Sequence, residues 1–250
     1  MPRRWLCILT VAILGCQSAP PGKPLPRYSN LDADAVRTIL AQRQSNIHTM
    51  TARCELTLTS QNQQAIRLDG LLVMAPPDRV RMRVWKLDQT VFDVTALPEG
   101  VWIETAPRAA SAAPGGPVIP PTVDAARLSR QLSLFLGGFF TSPGLTEQTS
   151  PNGSLLFRRD ESDGASVVCD VDAATAAAQR FTLRDSTGKT RFSLDLSNYR
   201  QLQGIAWPIQ LAARDADDSS EIDVEFSDVQ FNSELAPRAF VPPSGAKKQP

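Results

Sequence analysis

The chain has 250 residues, and its 26 Lys plus Arg balance 26 Asp plus Glu, so charge points to neither nucleic acid nor an acidic substrate. Twenty prolines, fourteen glycines and 42% hydrophobic residues describe a loop-rich chain long enough to bury one large core or two small ones. It contains no apolar run of the roughly 18 residues or more that marks a membrane-spanning helix.

At the amino terminus Arg3 and Arg4 precede a short apolar run that ends in Ile13-Leu14-Gly15-Cys16. This pattern reads as a secretory signal over residues 1–15 with a lipobox. Small residues flank the cut, and the thiol of Cys16 becomes the new terminus and carries a lipid thioether. The alternatives are a signal anchor, or a plain signal cut elsewhere that leaves Cys16 incidental. Loss of Cys7 with the signal would leave Cys54 and Cys169 as the internal thiols, candidates for a disulfide in an exported domain. Two separate buried thiols are the favoured alternative.

Residues 16–29 contain Pro20, Pro21, Pro24 and Pro26 and few apolar side chains, so they predict an extended tether. At about 3.1 Å per residue, such a tether clears the lipid headgroups. Asn30 or Asp32 then caps a predicted helix whose apolar residues Val36, Ile39, Leu40, Ile47 and Met50 share one side. His48, the only histidine, falls near its end and is expected at the surface or in a cap.

From residue 51 the period changes to two. Ala52, Cys54, Leu56 and Leu58 alternate with polar residues in a first strand. A β-meander follows over residues 65–105, with Ile66, Leu68, Leu72 and Met74, then Val80, Met82 and Val84, then Phe92 and Val94 at alternate positions. Arg79, Arg81 and Arg83 form a basic stripe on the other face of one strand. It is expected to be a solvated outer face, with anionic lipid headgroups as the alternative partner. Residues 107–121, rich in Ala, Gly and Pro, interrupt the sheet with a loop. Thr122 caps a second predicted helix with Leu128, Leu132, Phe135, Leu136 and Phe139 on one stripe.

Strands return over residues 155–159, 166–171, 180–184, 190–199, 205–211 and 221–231, separated by Gly and Asp/Asn turns. In the last of these the apolar parity shifts between Phe226 and Val229, which predicts a bulge near Ser227 and Asp228. The tail, 242–250, is expected to be disordered. A sheet with one apolar face needs a cover, so the predicted fold is mainly β with α, a curved antiparallel sheet with helices on its inner side.

Catalytic signatures are lacking: there is no HExxH, CxxC, Walker loop or GxSxG, and no second histidine for a triad. No enzyme activity, cofactor or metal is expected. The acids Asp215, Asp217, Asp218 and Glu221 suit a solvated turn better than a calcium site.

The order of elements resembles the LolA/LolB family of lipoprotein carriers and receptors. The better-matching parts are Val171-Asp172-Ala173-Ala174-Thr175, residues 185–188, 192–199 and 204–208, and Glu225-Phe226-Ser227-Asp228-Val229-Gln230-Phe231-Asn232 leading to Phe240. The resemblance implies an incomplete antiparallel β-barrel of about eleven strands over residues 30–241, wrapped around helices that close an apolar cavity for acyl chains. Leu72, Met74, Met82, Val84, Phe92, Val94, Phe192, Leu194 and Trp207 are the candidate lining, beneath the helix carrying Leu132 and Phe135. The lipobox favours the membrane-anchored receptor branch. Gln17 after Cys16 is not the aspartate that retains lipoproteins in the inner membrane of enteric bacteria, so the periplasmic face of the outer membrane is implied. A monomer is expected, held to the membrane by its lipid and partnered by acyl chains of lipids or lipoproteins. The alternative is a structural lipoprotein using the same fold as a docking module.

The turn at Trp85-Lys86-Leu87-Asp88-Gln89 requires a tight reversal, and Leu87 is out of place at its tip. The favoured expectation is that Leu87 folds back onto Trp85. In the receptor branch of the resembling family, a hydrophobic residue on a projecting loop between the corresponding strands helps deliver cargo into the bilayer. Leu87 is the matching position, a candidate for membrane or partner contact.

Overall fold

The computed structural model describes residues 22–59, 64–105, 138–149, 154–216 and 221–248. Helix α1, Ala33–Ser45, starts where the Asp32 carboxylate accepts the Ala35 amide at 2.8 Å, so Asp32 and not Asn30 is the cap. The helix is shorter than its apolar pattern predicts. Asn232 stops it, accepting the His48 amide at 2.8 Å and donating to the Asn46 carbonyl at 2.8 Å. Ile47 therefore follows the helix, and Met50 opens the first strand.

The strands are β1 (Met50–Thr59), β2 (Ile66–Ala75), β3 (Arg79–Lys86), β4 (Gln89–Leu97), β5 (Gly100–Thr105), β6 (Thr146–Thr149), β7 (Leu155–Asp160), β8 (Ser166–Asp172), β9 (Ala177–Arg184), β10 (Thr190–Leu202), β11 (Ile205–Asp215), β12 (Glu221–Phe231) and β13 (Lys247–Lys248). All thirteen belong to one open antiparallel sheet in the order β13-β5-β4-β3-β2-β1-β12-β11-β10-β9-β8-β7-β6. The half-barrel expectation holds, with thirteen strands among the described residues in place of about eleven. The two additions, β6 and β13, are short and polar and lie at the sheet's ends. Where β1 pairs β12, Arg53 faces Asp228 and Cys54 faces Phe226, so Ser227 is the extra residue of the predicted bulge.

The second predicted helix falls largely outside the described residues, Leu132 and Phe135 included. Its last predicted residue, Phe139, lies in a 3-10 turn, Phe139–Thr141, behind Gly138 at φ 87°. That left-handed backbone suits glycine.

The arginine stripe on β3 lies on the outer face as expected, with Arg79 and Arg83 exposed, and Arg81 is half-buried there. Arg81 makes a two-pronged pair with Asp93 on β4, Nε to Oδ1 at 3.0 Å and Nη2 to Oδ2 at 2.8 Å. It also donates through Nη1 to the carbonyls of Ala239 and Val241, at 3.2 and 3.1 Å. Arg79 stacks over the Phe240 ring at 5.4 Å, and Arg83 donates to the Thr90 hydroxyl at 3.0 Å. The carboxy-terminal segment thus crosses the outer face of β3 and β4. Burial of β4 on both faces, Asp93 and Thr95 included, follows from that cover. The segment then ends as β13 beside β5, with the Lys248 ammonium 5.3 Å from the Trp102 ring. Within the tail expected to be disordered, Lys247–Lys248 extends the sheet.

The amino-terminal segment also differs from a free tether. The Lys23 carbonyl accepts the Gln201 amide at 2.7 Å, and the Tyr28 amide donates to the Ala174 carbonyl at 2.7 Å. Tyr28 and Leu31 pack on the core. Extended proline-rich backbone is equally ready to lie along a strand, because its φ is already in the β region.

The candidate disulfide is corrected. Cys54 on β1 and Cys169 on β8 are both free and buried, with β12, β11, β10 and β9 between their strands. Burial pushes the Cys54 thiol up to about 12, with the Asp69 carboxylate adding to it, and raises Cys169 well above the ordinary thiol range.

Two outcomes follow from this packing. Arg81→Met leaves the buried Asp93 carboxylate uncompensated and should cost about 2–4 kcal/mol in urea unfolding, below the full range for buried pairs because Arg81 keeps some solvent contact. Adding Asp93→Leu should recover most of that loss; no recovery would mean that the ion pair is not the cause. For the thiols, alkylation at pH 8 should modify both cysteines in urea and neither in the native chain over the same interval, since the thiolate is the reactive form. A non-reducing digest containing a Cys54–Cys169 peptide would contradict the assignment.

Candidate functional site

The inner face of the sheet is built by register. Leu72 lies opposite Met82, Met82 opposite Val94, Val84 opposite Phe92, and Met74 opposite both Met50 and Val80. Across the sheet, Leu194 lies opposite Phe181 and Ala213, Phe192 opposite Leu183, and Trp207 packs against Phe226 and Phe231 at 6.0 and 5.5 Å. The nine described candidates, Leu72, Met74, Met82, Val84, Phe92, Val94, Phe192, Leu194 and Trp207, therefore belong to one continuous apolar core, none more than 7% exposed.

Helix α1 covers this face with Val36 and Leu40, both buried. A second cover is the 3-10 turn. Phe139 and Phe140 meet edge to face at 5.1 Å, Phe139 meets Phe181 at 5.2 Å, and Phe140 meets Phe157 at 5.6 Å. The two covers are tied together, since the Phe140 amide donates to Gln44 Oε1 at 3.2 Å. Sequence pattern identified Phe139 but not the Phe140 to Phe157 contact, because a single turn has no period to read.

Between the second half of α1 and the sheet lies a cavity of about 50 Å³, with Leu40, Ile47, Met74, Phe140 and Trp207 in its wall. By comparison with the roughly 10–15 Å³ that one water needs, it has room for a short apolar group. Three polar side chains reach it, and each has a partner at its wall or rim. Arg43 donates to the carbonyls of Thr175 and Ala176, and the Tyr199 hydroxyl donates to the Ala178 carbonyl at 2.7 Å. Burial raises the Tyr199 phenol far above its usual range, so it stays neutral. Gln44, already named, is the third. The wall brings together no nucleophile and base, and the arrangement can hold and orient an apolar group. Arg43 and Tyr199 were missed in sequence, since neither breaks the pattern of its own element.

The remaining candidates stand apart from the cavity. His48 is exposed, beside the Asn232 cap. Glu221 pairs with Arg214, while Asp217 and Asp218 lie outside the described residues, as does Cys16. No group of acids, histidines or cysteines suited to a metal occurs among the described residues.

Leu87 corrects the folded-back expectation: it is 87% exposed at the tip of the β3–β4 hairpin. Leu87 and Asp88 both have positive φ, 48° and 64°, the backbone of a two-residue hairpin turn that matches strand twist. This turn points the leucine outward. It also costs energy, because a left-handed backbone disfavours a bulky side chain.

The sequence matches no family model and no curated protein. Solved structures are similar over most of the chain. A LolA superfamily protein from Nitrosomonas europaea has a TM-score of 0.57 at 9% identity, covering 85% of this chain and 98% of its own. A DUF1329 family protein from Desulfovibrio piger has a TM-score of 0.58 at 10% identity, covering 83% and 96%. An outer membrane lipoprotein-sorting protein domain from Vibrio parahaemolyticus has a TM-score of 0.55 at 16% identity, covering 84% and 97%. At such identities the likeness is one of fold, and this chain has the LolA-like half-barrel fold.

Proposed function

We propose that the chain is a cell-envelope lipoprotein, anchored through a lipid on Cys16, that takes up an acyl chain non-covalently on its inner face and meets lipid through Leu87. The lipobox and Gln17 support a place at the periplasmic face of the outer membrane. The observation that carries the reading is Leu87, exposed at 87% on a strained turn. A leucine there gains nothing from the core, so both its exposure and its backbone cost call for an apolar partner outside the fold. The partly buried Lys86 beside it suits the headgroup level while the leucine enters the acyl layer. Inside, each methylene moved from water contributes roughly 0.8 kcal/mol, so even a partly enclosed chain binds usefully. The fold shared with the Vibrio lipoprotein-sorting domain is consistent with such cargo.

A second reading has its own observation. Of the nine candidate lining residues, Met74 and Trp207 stand in the cavity wall, while Leu72, Met82, Val84, Phe92, Val94, Phe192 and Leu194 are packed into the core, which suits a docking module whose interior is filled by its own side chains.

Leu87→Glu in the domain lacking Cys16 tests the first reading. Burying a leucine stabilises by about 1.5–3 kcal/mol. The substitution should therefore weaken liposome binding at least tenfold and leave the thermal midpoint unchanged. A midpoint lowered by several degrees, or unchanged binding, removes the role assigned to Leu87.

A further inference from the structure

Antiparallel pairing divides the turns between the two ends of the sheet. The β3–β4 tip with Leu87 lies at the end where β1 and β10 meet the neighbouring turns through Thr59 and Thr190. The amino-terminal segment is fixed at the other end. Lys23 bridges Gln201, next to the β10–β11 turn, and Tyr28 bonds Ala174 in the β8–β9 turn. The two ends are about 25 Å apart, the length of the eight residues of β3 at roughly 3.3 Å each.

The attachment at Lys23 is a fitted one. A Cβ on Gly22 would stand 2.6 Å from Leu202 Cδ2, 2.9 Å from Arg200 Cβ and 3.1 Å from the Gln201 carbonyl, so the backbone lies against β10 only because residue 22 has no side chain. Five residues lie between Cys16 and Gly22, and the six steps of that connection reach at most about 22 Å when fully extended. That is shorter than the sheet. While the segment is docked, the half-barrel cannot stand with its Leu87 end down in the membrane that holds the lipid. Released as far as Tyr28, the connection grows to twelve residues and about 37 Å, which is enough to turn the domain over.

We propose that the docked segment 22–28 is an orientation lock. Docked, it directs Leu87 away from the anchoring bilayer toward the aqueous side; undocked, it lets Leu87 reach that bilayer. The inference rests on the lipid-anchor reading above, and it adds which lipid surface Leu87 faces in each state.

The test uses the full chain, lipidated and reconstituted in vesicles of phosphatidylethanolamine and phosphatidylglycerol that carry an acceptor dye on the lipid. A donor dye is placed at Gln89→Cys, beside the tip, or at Asp78→Cys, in the exposed β2–β3 turn at the opposite end. Energy transfer should be at least twofold higher from position 78 than from position 89. Gly22→Val, which drives the segment off β10, should abolish the difference. An insertion of fifteen Gly and Ser residues after Ser18 should also abolish it, leaving every docked contact in place. Equal transfer from the two positions in the parent chain, or a difference that survives both changes, overturns the lock. A chain that fails to float with the vesicles contradicts the lipid anchor itself and the lock with it, whereas a chain that floats but shows equal transfer contradicts the lock alone.

Discussion

The constraint on which the rest depends is that the sheet presents apolar side chains to one side and never closes on itself. From β4 through β9, register brings Phe92, Val84, Leu72, Leu56, Val224, Leu211, Leu194 and Phe181 to the same face, strand after strand. Apolar surface left in water costs about 25 cal/mol per Å², so a face of this size must be covered. Helix α1, the Phe139–Thr141 turn and their shared Gln44 contact meet that need, and the cavity lies where α1 and the sheet fail to fill the space between them.

An open sheet also has edges and an outer face, and the described terminal segments lie along parts of it. The carboxy-terminal segment is gripped by Arg81, whose guanidinium serves Asp93 and two backbone carbonyls at once. It ends by covering part of β5, which would otherwise offer an unpaired strand to other chains. The amino-terminal segment lies on the overhang of β10. These attachments give the half-barrel a fixed set of exposed features, with Leu87 at one end and the entry of the chain at the other.

Much of this was legible in sequence because alternation is a strong signal over long strands. The bounds 221–231 and the bulge at Ser227 came from parity alone, since one extra residue must flip every later side chain. Thr146–Thr149 and Lys247–Lys248 were not legible, because short polar edge strands have no apolar face to alternate. The prolines of residues 16–29 read as a tether because extended backbone has the same composition whether it is docked or free, and Gly22 carries no pattern. The direction of Leu87 was hidden for a related reason: the turn was clear, but the two positive φ values that aim it outward belong to residues that rarely adopt them. The thiols of Cys54 and Cys169 shared a face without being neighbours, a distinction that only strand order supplies.

The central proposal is that the inner face beneath α1 receives an acyl chain, and native mass spectrometry of the delipidated domain mixed with a single-acyl lipid tests it most directly. The account predicts one lipid per chain, with binding weakened by Ala177→Trp, which puts a bulky side chain at a residue of the cavity wall, and left intact by Asp78→Ala at the far turn. No adduct with the parent chain, or adducts in equal yield from both variants, would contradict it.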